Sequence, residues 1–227
     1  MSRPLLLGHR GARAVKSIPE NTLLSFDLAL AHGCDGFEFD VRLTGDSQAV
    51  ICHDPETRRA EVARSRAQQL IGLPRLQEVL IRYQRNAFLD IELKVSGLEK
   101  IIARELPKRM PSRGVVISSF LPAVLNAVHA ENLAIPLGLI CETKAQLNRW
   151  GDLPVEYVML NHALAFPDRI GEIQGQGKRV FVWTVNRAAE MRRFADWGVD
   201  GIISDETERL VRVLRGARIK TRTTTKK

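Results

Sequence analysis

Cysteine is scarce in this sequence, and long apolar runs are missing from it. The 227 residues include three cysteines, Cys34, Cys52 and Cys141. Their spacing matches no metal-binding motif, their odd number argues against a disulfide framework, and their apolar neighbours predict buried free thiols. The first apolar run covers only residues 5–7, which is too short for a signal peptide, and no later run approaches the length of a membrane span. We therefore expect a cytoplasmic protein without stable membrane association.

Acidic charge is missing from one end of the chain. The formal net charge is +8, from 34 Lys and Arg against 26 Asp and Glu. Six of the basic residues and no acidic one lie in residues 215–227, so residues 1–214 have a net charge of only about +2. This near-neutral body argues against nucleic-acid binding. We predict one domain over residues 1–214 and a disordered basic tail over 215–227, with a weak contact to RNA or an anionic membrane as the alternative role of the tail.

No Gly-x-Gly-x-x-Gly motif follows the first predicted strand, so the usual sign of a dinucleotide-binding fold is missing. Instead, short apolar or alternating runs recur between stretches with helical periodicity. We predict strands over residues 4–8, 36–43, 88–95, 115–119, 136–140, 157–160, 179–184 and 201–204, a minor strand over 48–53, and helices over 21–31, 76–83, 97–106, 121–130, 144–150, 167–174, 187–197 and 206–214. Eight alternating units predict an α/β fold, a single TIM (β/α)8 barrel. A doubly wound open sheet is the alternative, which so short a chain disfavours.

Two of the predicted strands alternate apolar and charged residues. Residues 37–41 read Phe-Glu-Phe-Asp-Val, and residues 89–95 read Leu-Asp-Ile-Glu-Leu-Lys-Val. Strand side chains have a period of two, and the aliphatic face of a barrel strand lies under the helices. The charged residues are therefore predicted to point towards the barrel axis; they are Glu38, Asp40, Glu92 and Lys94. Buried carboxylates need compensation, and three of them at strand ends suit a hard cation such as Mg²⁺ or Ca²⁺.

Two histidines end predicted strands, at the face of a TIM barrel where catalytic groups collect. They lie in the segments His9-Arg10-Gly11 and His53-Asp54. The remaining polar motifs are Pro19-Glu20-Asn21, Glu38-x-Asp40, Glu92-x-Lys94, Val-Trp-Thr-Val-Asn over residues 182–186 and Gly-Val-Asp-Gly-Ile-Ile-Ser-Asp over 198–205. In their order and joint presence, these segments resemble the glycerophosphodiester phosphodiesterase family of the phospholipase C-like phosphodiesterases. The resemblance spans residues 5–214.

The resemblance implies metal-dependent hydrolysis of glycerophosphodiesters to glycerol 3-phosphate and an alcohol. It implies that His9 and His53 are the acid–base pair, without assigning the base. Arg10 and Lys94 would bind the phosphate, and Trp183 would form an apolar wall for the glycerol end, with core packing as the alternative for this residue. The implied ligands of the divalent ion, Mg²⁺ or Ca²⁺, are Glu38, Asp40 and Glu92.

Two segments beside these motifs allow more than one interpretation. Glu20 and Asn21 lie at the start of the first predicted helix, where they would either form its N-cap, with Asn21 bonding the free amides, or contact substrate directly. Asp54 is expected to shape a turn with Pro55. Only 19 residues separate Asp54 from Pro74, where the resemblance implies a longer insertion over the pocket, so the second strand is followed by a short, reduced insertion. The identity of the released alcohol is therefore open.

Two other functions fit parts of the pattern. A non-catalytic phosphate-binding barrel would need Arg10 and Lys94, but it has no use for two histidines and three metal-binding carboxylates. A lysophospholipase D-type phosphodiesterase would act at a membrane, and no exposed apolar helix is predicted that could lie in a bilayer interface. The leading hypothesis is therefore an enzyme that acts on a small-molecule glycerophosphodiester.

Overall fold

Eight parallel strands close into a barrel surrounded by helices. The structure, a computed structural model, describes residues 3–58 and 60–216. The strands are β1 (Leu5–His9), β2 (Gly36–Leu43), β3 (Ala49–Ile51), β4 (Phe88–Leu93), β5 (Val115–Ser119), β6 (Leu137–Cys141), β7 (Tyr157–Asn161), β8 (Arg179–Trp183) and β9 (Gly201–Ser204). The α-helices are α1 (Leu23–Ala31), α2 (Leu76–Tyr83), α3 (Glu99–Glu105), α4 (Pro122–Glu131), α5 (Lys144–Leu147), α6 (Pro167–Gly175), α7 (Ala188–Asp196) and α8 (Thr207–Arg215).

Ring closure depends on the first strand. β1 pairs in parallel with β2 on one side and with β9 on the other, and the ring continues in the order β9-β8-β7-β6-β5-β4-β2. The short β3 pairs antiparallel with β2. The fold is a single TIM barrel, which confirms the prediction from the alternating strands and helices. The carboxyl ends of the eight parallel strands therefore meet at one mouth.

Side-chain alternation along the strands creates two apolar regions. Outward-facing residues such as Phe37 pack beneath the helices, where Phe37 stacks on Phe26 of α1 with ring centroids 4.3 Å apart. Inward-facing Phe88, Tyr157 and Phe181 fill the lower interior, with centroids 5.2–6.4 Å apart. Burying such a ring stabilises the fold by about 1.5–3 kcal/mol. The rings also form an apolar floor below the mouth of the barrel.

The segment between β3 and α2 is short, as the sequence predicted. It contains two one-turn 3₁₀ helices, Val62–Arg64 and Ala67–Gln69. Val62 and Leu70 pack against Val50 of β3 in a small apolar cluster that is separate from the main core. This packing anchors the insertion to the side of the barrel mouth.

The predicted element boundaries agree with the structure to within two residues, except at the end of α5. Helix α1 begins at Leu23 because Thr22 is its N-cap, whose Oγ1 accepts a hydrogen bond from Ser25 N at 3.2 Å. Asn21 has a left-handed backbone with φ 57°, which excludes it from the helix. Helix α5 ends early, at Leu147.

The last helix, α8, continues to Arg215, the first residue of the predicted tail. Its guanidinium group binds the Asp35 carboxylate and the Gly33 carbonyl, so Arg215 belongs with the barrel. Gly216 follows as the C-cap of α8, and residues 217–227 of the predicted disordered tail lie outside the described residues. Within the described residues, no helix is both long enough and apolar enough to span a membrane.

The three cysteines are buried and unpaired, as predicted. Burial raises the pKa of Cys34 and of Cys141 to about 12. Both thiols are therefore protonated at neutral pH and behave as small apolar groups.

Candidate active site

A cavity of about 330 Å³ opens at the carboxyl ends of the barrel strands. Seven of the eight predicted site residues line it, namely His9, Arg10, Glu38, His53, Glu92, Lys94 and Trp183. The eighth, Asp40, is only 1% exposed and lies behind this wall, where its carboxylate contacts Arg10 and Lys94. The structure thus brings all eight residues together.

Four inward-facing carboxyl groups lie side by side on β2 and β4. In the parallel register of these strands, Glu38 is opposite Asp90 and Asp40 is opposite Glu92. Because side chains alternate along a strand, both pairs point into the barrel. All four residues are buried. Their negative charge therefore has to be compensated by neighbouring cations or protons.

Three of these groups, those of Glu38, Asp40 and Glu92, form a cluster in which carboxylate oxygens lie within 4.8 Å of one another. Lys94 Nζ lies 2.7 Å from Glu92 Oε1 and 3.3 Å from Asp40 Oδ1. By contrast, the buried Oε1 of Glu38 has no hydrogen-bond partner in the described part of the chain. An unpaired buried oxygen beside two further acids suits a hard, oxygen-liganded ion such as Mg²⁺ or Ca²⁺. The residues present fit the divalent ion that the sequence predicts.

The crowding of acids changes their pKa values in opposite directions. Burial, and then the charge of Asp40, raises the pKa of Glu92 to about 7. Burial also raises the pKa of Asp90 to about 7, and burial together with the charge of Asp40 raises the pKa of Glu38 well above its usual range. Burial disfavours the ionised form of Asp40 too, but the charges of Lys94 and Arg10 lower its pKa. Asp40 is thus the acid that stays ionised.

In EDTA at pH 8, the neutral variant Asp90→Asn is expected to be more stable than the wild type, by the order of 2 kcal/mol. Glu92→Gln should gain less, because it also removes the carboxylate that lies 2.7 Å from Lys94 Nζ. Each acid has a folded-state pKa of about 7, above its unfolded value near 4. Its ionisation therefore destabilises the fold increasingly from pH 4 to pH 7 and fully above that. By pH 5 the difference should fall to less than half, as urea unfolding at the two pH values would measure.

The histidines also contribute to the pH dependence of stability, and this contribution cancels when the wild type is compared with the variants. Burial lowers the pKa of His32 and of His53, so protonation of these residues destabilises the fold as the pH falls, which is the opposite sign. Because both histidines are present in every variant, only the carboxyl contribution remains in the difference. Equal stability of wild type and both variants at pH 8 would contradict the raised carboxyl pKa values.

Arg10 is held at the cavity wall by three acids. Its backbone, in the left-handed region with φ 51°, donates from N to Glu38 Oε2 at 2.9 Å. Its Nη1 donates to Glu20 Oε1 at 2.7 Å, and its Nε lies 3.2 Å from Asp40 Oδ2. The guanidinium group is therefore fixed beside the acidic cluster.

Asn21 does not cap α1, which corrects one of the two interpretations of this segment. Its Nδ2 donates to Asp40 Oδ2 at 2.8 Å, and its Oδ1 accepts from Asp40 N at 3.3 Å. Neither Asn21 nor Glu20 is among the residues that line the cavity, so direct substrate contact has no support either. Asn21 orients Asp40, and Glu20 orients Arg10.

His9 is paired with an acid from the opposite end of the chain. Its Nδ1 lies 2.7 Å from Asp205 Oδ1, and Asn186 Nδ2 donates to the other oxygen of Asp205 at 2.8 Å. Although burial opposes ionisation of Asp205, the bonds from His9 and Asn186 hold its pKa far below the usual range. An ionised carboxylate only accepts hydrogen bonds, so Nδ1 of His9 carries a proton and Nε2 faces the cavity side, 3.9 Å from Glu38 Oε2.

His53 has a similar but more exposed partner. Its Nδ1 lies 2.7 Å from Asp54 Oδ1, and the Asp54 side chain is 73% exposed. Asp54 therefore contacts the histidine itself, beyond the role in the turn that the sequence predicts. Arg42 Nε donates to the carbonyl of His53 at 2.8 Å, which fixes the backbone at this point.

The other half of the cavity is mostly apolar. Trp183 lines it and packs edge-to-face on Phe120, with centroids 5.7 Å apart. The indole Nε1 donates to the Met159 carbonyl at 2.9 Å. Trp183 thus combines the two interpretations of the sequence, since it is both a cavity wall and a packed aromatic residue.

Three residues of the site were missed in the sequence. Asp90 follows the same alternation as Glu92, and this signal could have identified it. Glu142 lines the cavity two residues after the inward-facing Ile140, but its alternation is hidden because β6 ends between them. Asp205 ends a motif that carries the family resemblance, yet no local pattern pairs it with His9.

The sequence matches the model of the Glycerophosphoryl diester phosphodiesterase family in two overlapping segments, residues 9–78 and 61–209. A glycerophosphodiester phosphodiesterase from Caldanaerobacter subterraneus subsp. tengcongensis is 29% identical over an alignment that covers 94% of this chain and 98% of the relative. A glycerophosphodiester phosphodiesterase from Bacillus subtilis is 28% identical, with 94% of this chain and 87% of the relative covered.

Solved structures share the fold. A glycerophosphodiester phosphodiesterase from Thermotoga maritima superposes with a TM-score of 0.81 at 23% identity, covering 94% of this chain and 99% of the other. An Oleispira antarctica phosphodiesterase, solved with the product sn-glycerol-3-phosphate, superposes with a TM-score of 0.81 at 24% identity, covering 93% and 96%. At these identities, the likeness establishes the barrel architecture.

Proposed function

The chain belongs to the glycerophosphoryl diester phosphodiesterase family, and on this premise we propose that it hydrolyses glycerophosphodiesters to glycerol 3-phosphate and an alcohol, using a bound divalent ion. One observation carries the proposal, which is the convergence of two histidines, two cationic side chains and a three-carboxylate cluster on a single cavity. Because the family consists of phosphoric diester hydrolases, the alternative of a non-catalytic phosphate-binding barrel is set aside.

Glu38, Asp40 and Glu92 would hold the ion, which when bound supplies a Lewis acid for a phosphoryl oxygen. Arg10 and Lys94 line the same cavity. The planar guanidinium of Arg10 can bind two non-bridging oxygens at once, and the ammonium of Lys94 adds a point charge. Negative charge on these oxygens grows in the transition state, so both contacts stabilise the transition state more than the bound substrate.

We assign the proton transfers to His9 and His53. Each imidazole has its Nδ1 on a carboxylate, which leaves Nε2 to exchange a proton with the substrate. One histidine removes a proton from the attacking hydroxyl group or water. The other gives a proton to the leaving alcohol oxygen as its bond to phosphorus breaks, so no free alkoxide forms.

Asp205 is a positioning residue in this mechanism, and Asp205→Asn is expected to lower kcat roughly 10- to 1,000-fold, because a misoriented His9 loses much of its general acid–base catalysis. The KM should stay within about twofold, since Asp205 does not bind substrate. Asp200→Asn, at the opposite end of β9, is the control. Asp200 accepts bonds from Gln174 and from the backbone N of Val180, so its loss should lower stability and leave kcat near the wild-type value. A fall in kcat that only tracks lost stability would contradict the positioning role.

The direct test of the function is release of glycerol 3-phosphate by the purified protein. The panel would contain glycerophosphocholine, glycerophosphoethanolamine and glycerophosphoserine, with lysophosphatidylcholine in liposomes as the membrane substrate, whose hydrolysis is measured as release of choline and lysophosphatidic acid. We expect turnover of the water-soluble diesters. Faster turnover of the lysophospholipid would favour the lysophospholipase D-type alternative, and hydrolysis of none of the four would contradict the proposal.

A further inference from the structure

The mostly apolar half of the cavity is lined by one acidic side chain, that of Glu142. It follows Ile140 by two residues, directly after β6, so the alternation of the strand directs both towards the cavity. The Glu142 backbone N donates to Gln146 Oε1 at 2.9 Å. Its carboxylate makes no hydrogen bond or ion pair with residues 3–58 or 60–216. This acid is therefore available to a ligand.

The neighbours of Glu142 offer a ligand little else to bond with. Phe120, Ile140 and Met159 contribute apolar side chains to this half. The one polar atom of Trp183, Nε1, is already bonded to the Met159 carbonyl. A hydroxyl group that enters this half therefore meets the Glu142 carboxylate as its side-chain acceptor.

The position of Lys94 bears on whether this half takes a neutral or a cationic ligand group. Lys94 Nζ lies 5.6 Å from the centroid of the Phe120 ring, so an ammonium ion already occupies the aromatic face that would attract a cation. A second positive charge beside that face, such as a choline group, would be attracted by Glu142 but repelled by Lys94, whereas a neutral diol gains the hydrogen bonds to Glu142 without that repulsion. A neutral group with hydrogen-bond donors fits better.

We propose that Glu142 is a specificity-determining residue that recognises the vicinal diol of the glycerol end. This inference rests on the proposed function. With the phosphate at Arg10 and Lys94, the three-carbon chain lies against Phe120 and Trp183, and its two hydroxyl groups donate to the two oxygens of the Glu142 carboxylate. The other alcohol of the diester then points out of the mouth. Glu142 therefore discriminates between diesters by the diol and not by the head group.

The experiment compares glycerophosphocholine with propylphosphocholine, which has the same carbon chain without the two hydroxyl groups. Wild type is expected to prefer the diol by roughly 10- to 100-fold in kcat/KM, because hydrogen bonds to a charged acceptor are worth about this factor. In Glu142→Ala the preference should fall at least tenfold. Glu142→Gln, which keeps one oxygen acceptor, should lie between the two.

Glu131→Ala is the matched control, since Glu131 is an exposed acid at the end of α4 and should keep the wild-type preference. Calorimetric binding of glycerol 3-phosphate against propyl phosphate gives a second measurement that needs no turnover.

A diol preference in Glu142→Ala within twofold of wild type, in turnover or binding, would overturn the inference. So would an unchanged diol preference with an altered choline-to-serine preference, because the carboxylate would then face the other alcohol. Failure of wild type to hydrolyse any diester would contradict the proposed function, and the binding measurement would still decide the role of Glu142.

Discussion

Exhaustive removal of divalent ions with EDTA is expected to abolish hydrolysis, and added Mg²⁺ or Ca²⁺ is expected to restore it. Without an ion, the acids of the cluster repel a phosphodiester anion from the cavity where Arg10 and Lys94 should bind it. The ion should also raise the unfolding temperature by mass action, because only the folded barrel brings the three carboxylates within 4.8 Å. The test measures release of glycerol 3-phosphate and thermal unfolding, each before and after metal is restored. Full activity after chelation would contradict the metal assignment.

Two neutral substitutions on β4 distinguish an acid that is proposed to bind the ion from a neighbouring acid that is not. Glu92→Gln removes a charged ligand and is expected to raise the Kd of the ion roughly 100-fold or more, beyond the usual effect of an outer-sphere change. Asp90→Asn lies two residues deeper in the same buried row, where Asp90 Oδ1 accepts from Ser118 Oγ at 2.6 Å. As the matched control it should change the Kd only a few-fold. Calorimetric titration of the metal-free protein measures both, and equal losses would mean that the whole acidic row binds the ion.

Replacing His9 or His53 with alanine is expected to lower kcat by roughly 10²–10⁴, the usual contribution of a positioned proton transfer. Folding should survive, because the two side chains lie at the cavity with 15% and 33% of their surface exposed and belong to no apolar core cluster. Steady-state kinetics on glycerophosphocholine and circular dichroism of each variant provide the test. If both variants stay folded with near wild-type turnover, the histidines have no catalytic role.

Turnover of a nitrophenyl phosphodiester by the two variants would show which histidine is the acid and which is the base. Its leaving group needs little help from an acid, so the variant without the acid should recover much of its rate, whereas the variant without the base should not. His129 provides a matched control: it lies in the last turn of α4 and is not among the residues lining the cavity, so His129→Ala should behave as wild type on both substrates. Equal recovery of both cavity variants would contradict a separate acid and base.

The inward-facing charged residues of the site could be predicted because they follow a local alternation of apolar and charged residues. Glu38, Asp40, Glu92 and Lys94 each have apolar neighbours on both sides, and a buried parallel strand can place such residues only inside the barrel. Alternation gives the face of a strand but not the depth along the barrel axis. Depth depends on the register between β2 and β4, and for this reason the role of Asp90 beneath the cluster could not be predicted from its own strand.

Contacts between distant segments could not be predicted from local patterns. His9 and Asp205 are 196 residues apart and meet because β1 pairs with β9. The start of α1 posed a similar problem, since Asn21 and Thr22 are both good N-cap residues. The choice was decided by Asp40, which engages the Asn21 side chain from another strand and leaves the cap to Thr22.

Closure of the barrel by its first and last strands also determines when, during synthesis, the enzyme becomes complete. Strands β2 and β4, which carry the acids, can pair soon after they leave the ribosome, because they are neighbours in the ring. The contact between His9 and Asp205 cannot form until a further 196 residues have been added, which takes about 10–40 s at 5–20 residues per second. A nascent chain that stalls before β9 therefore has neither a closed barrel nor an oriented His9. Such a fragment is expected to leave its substrate intact.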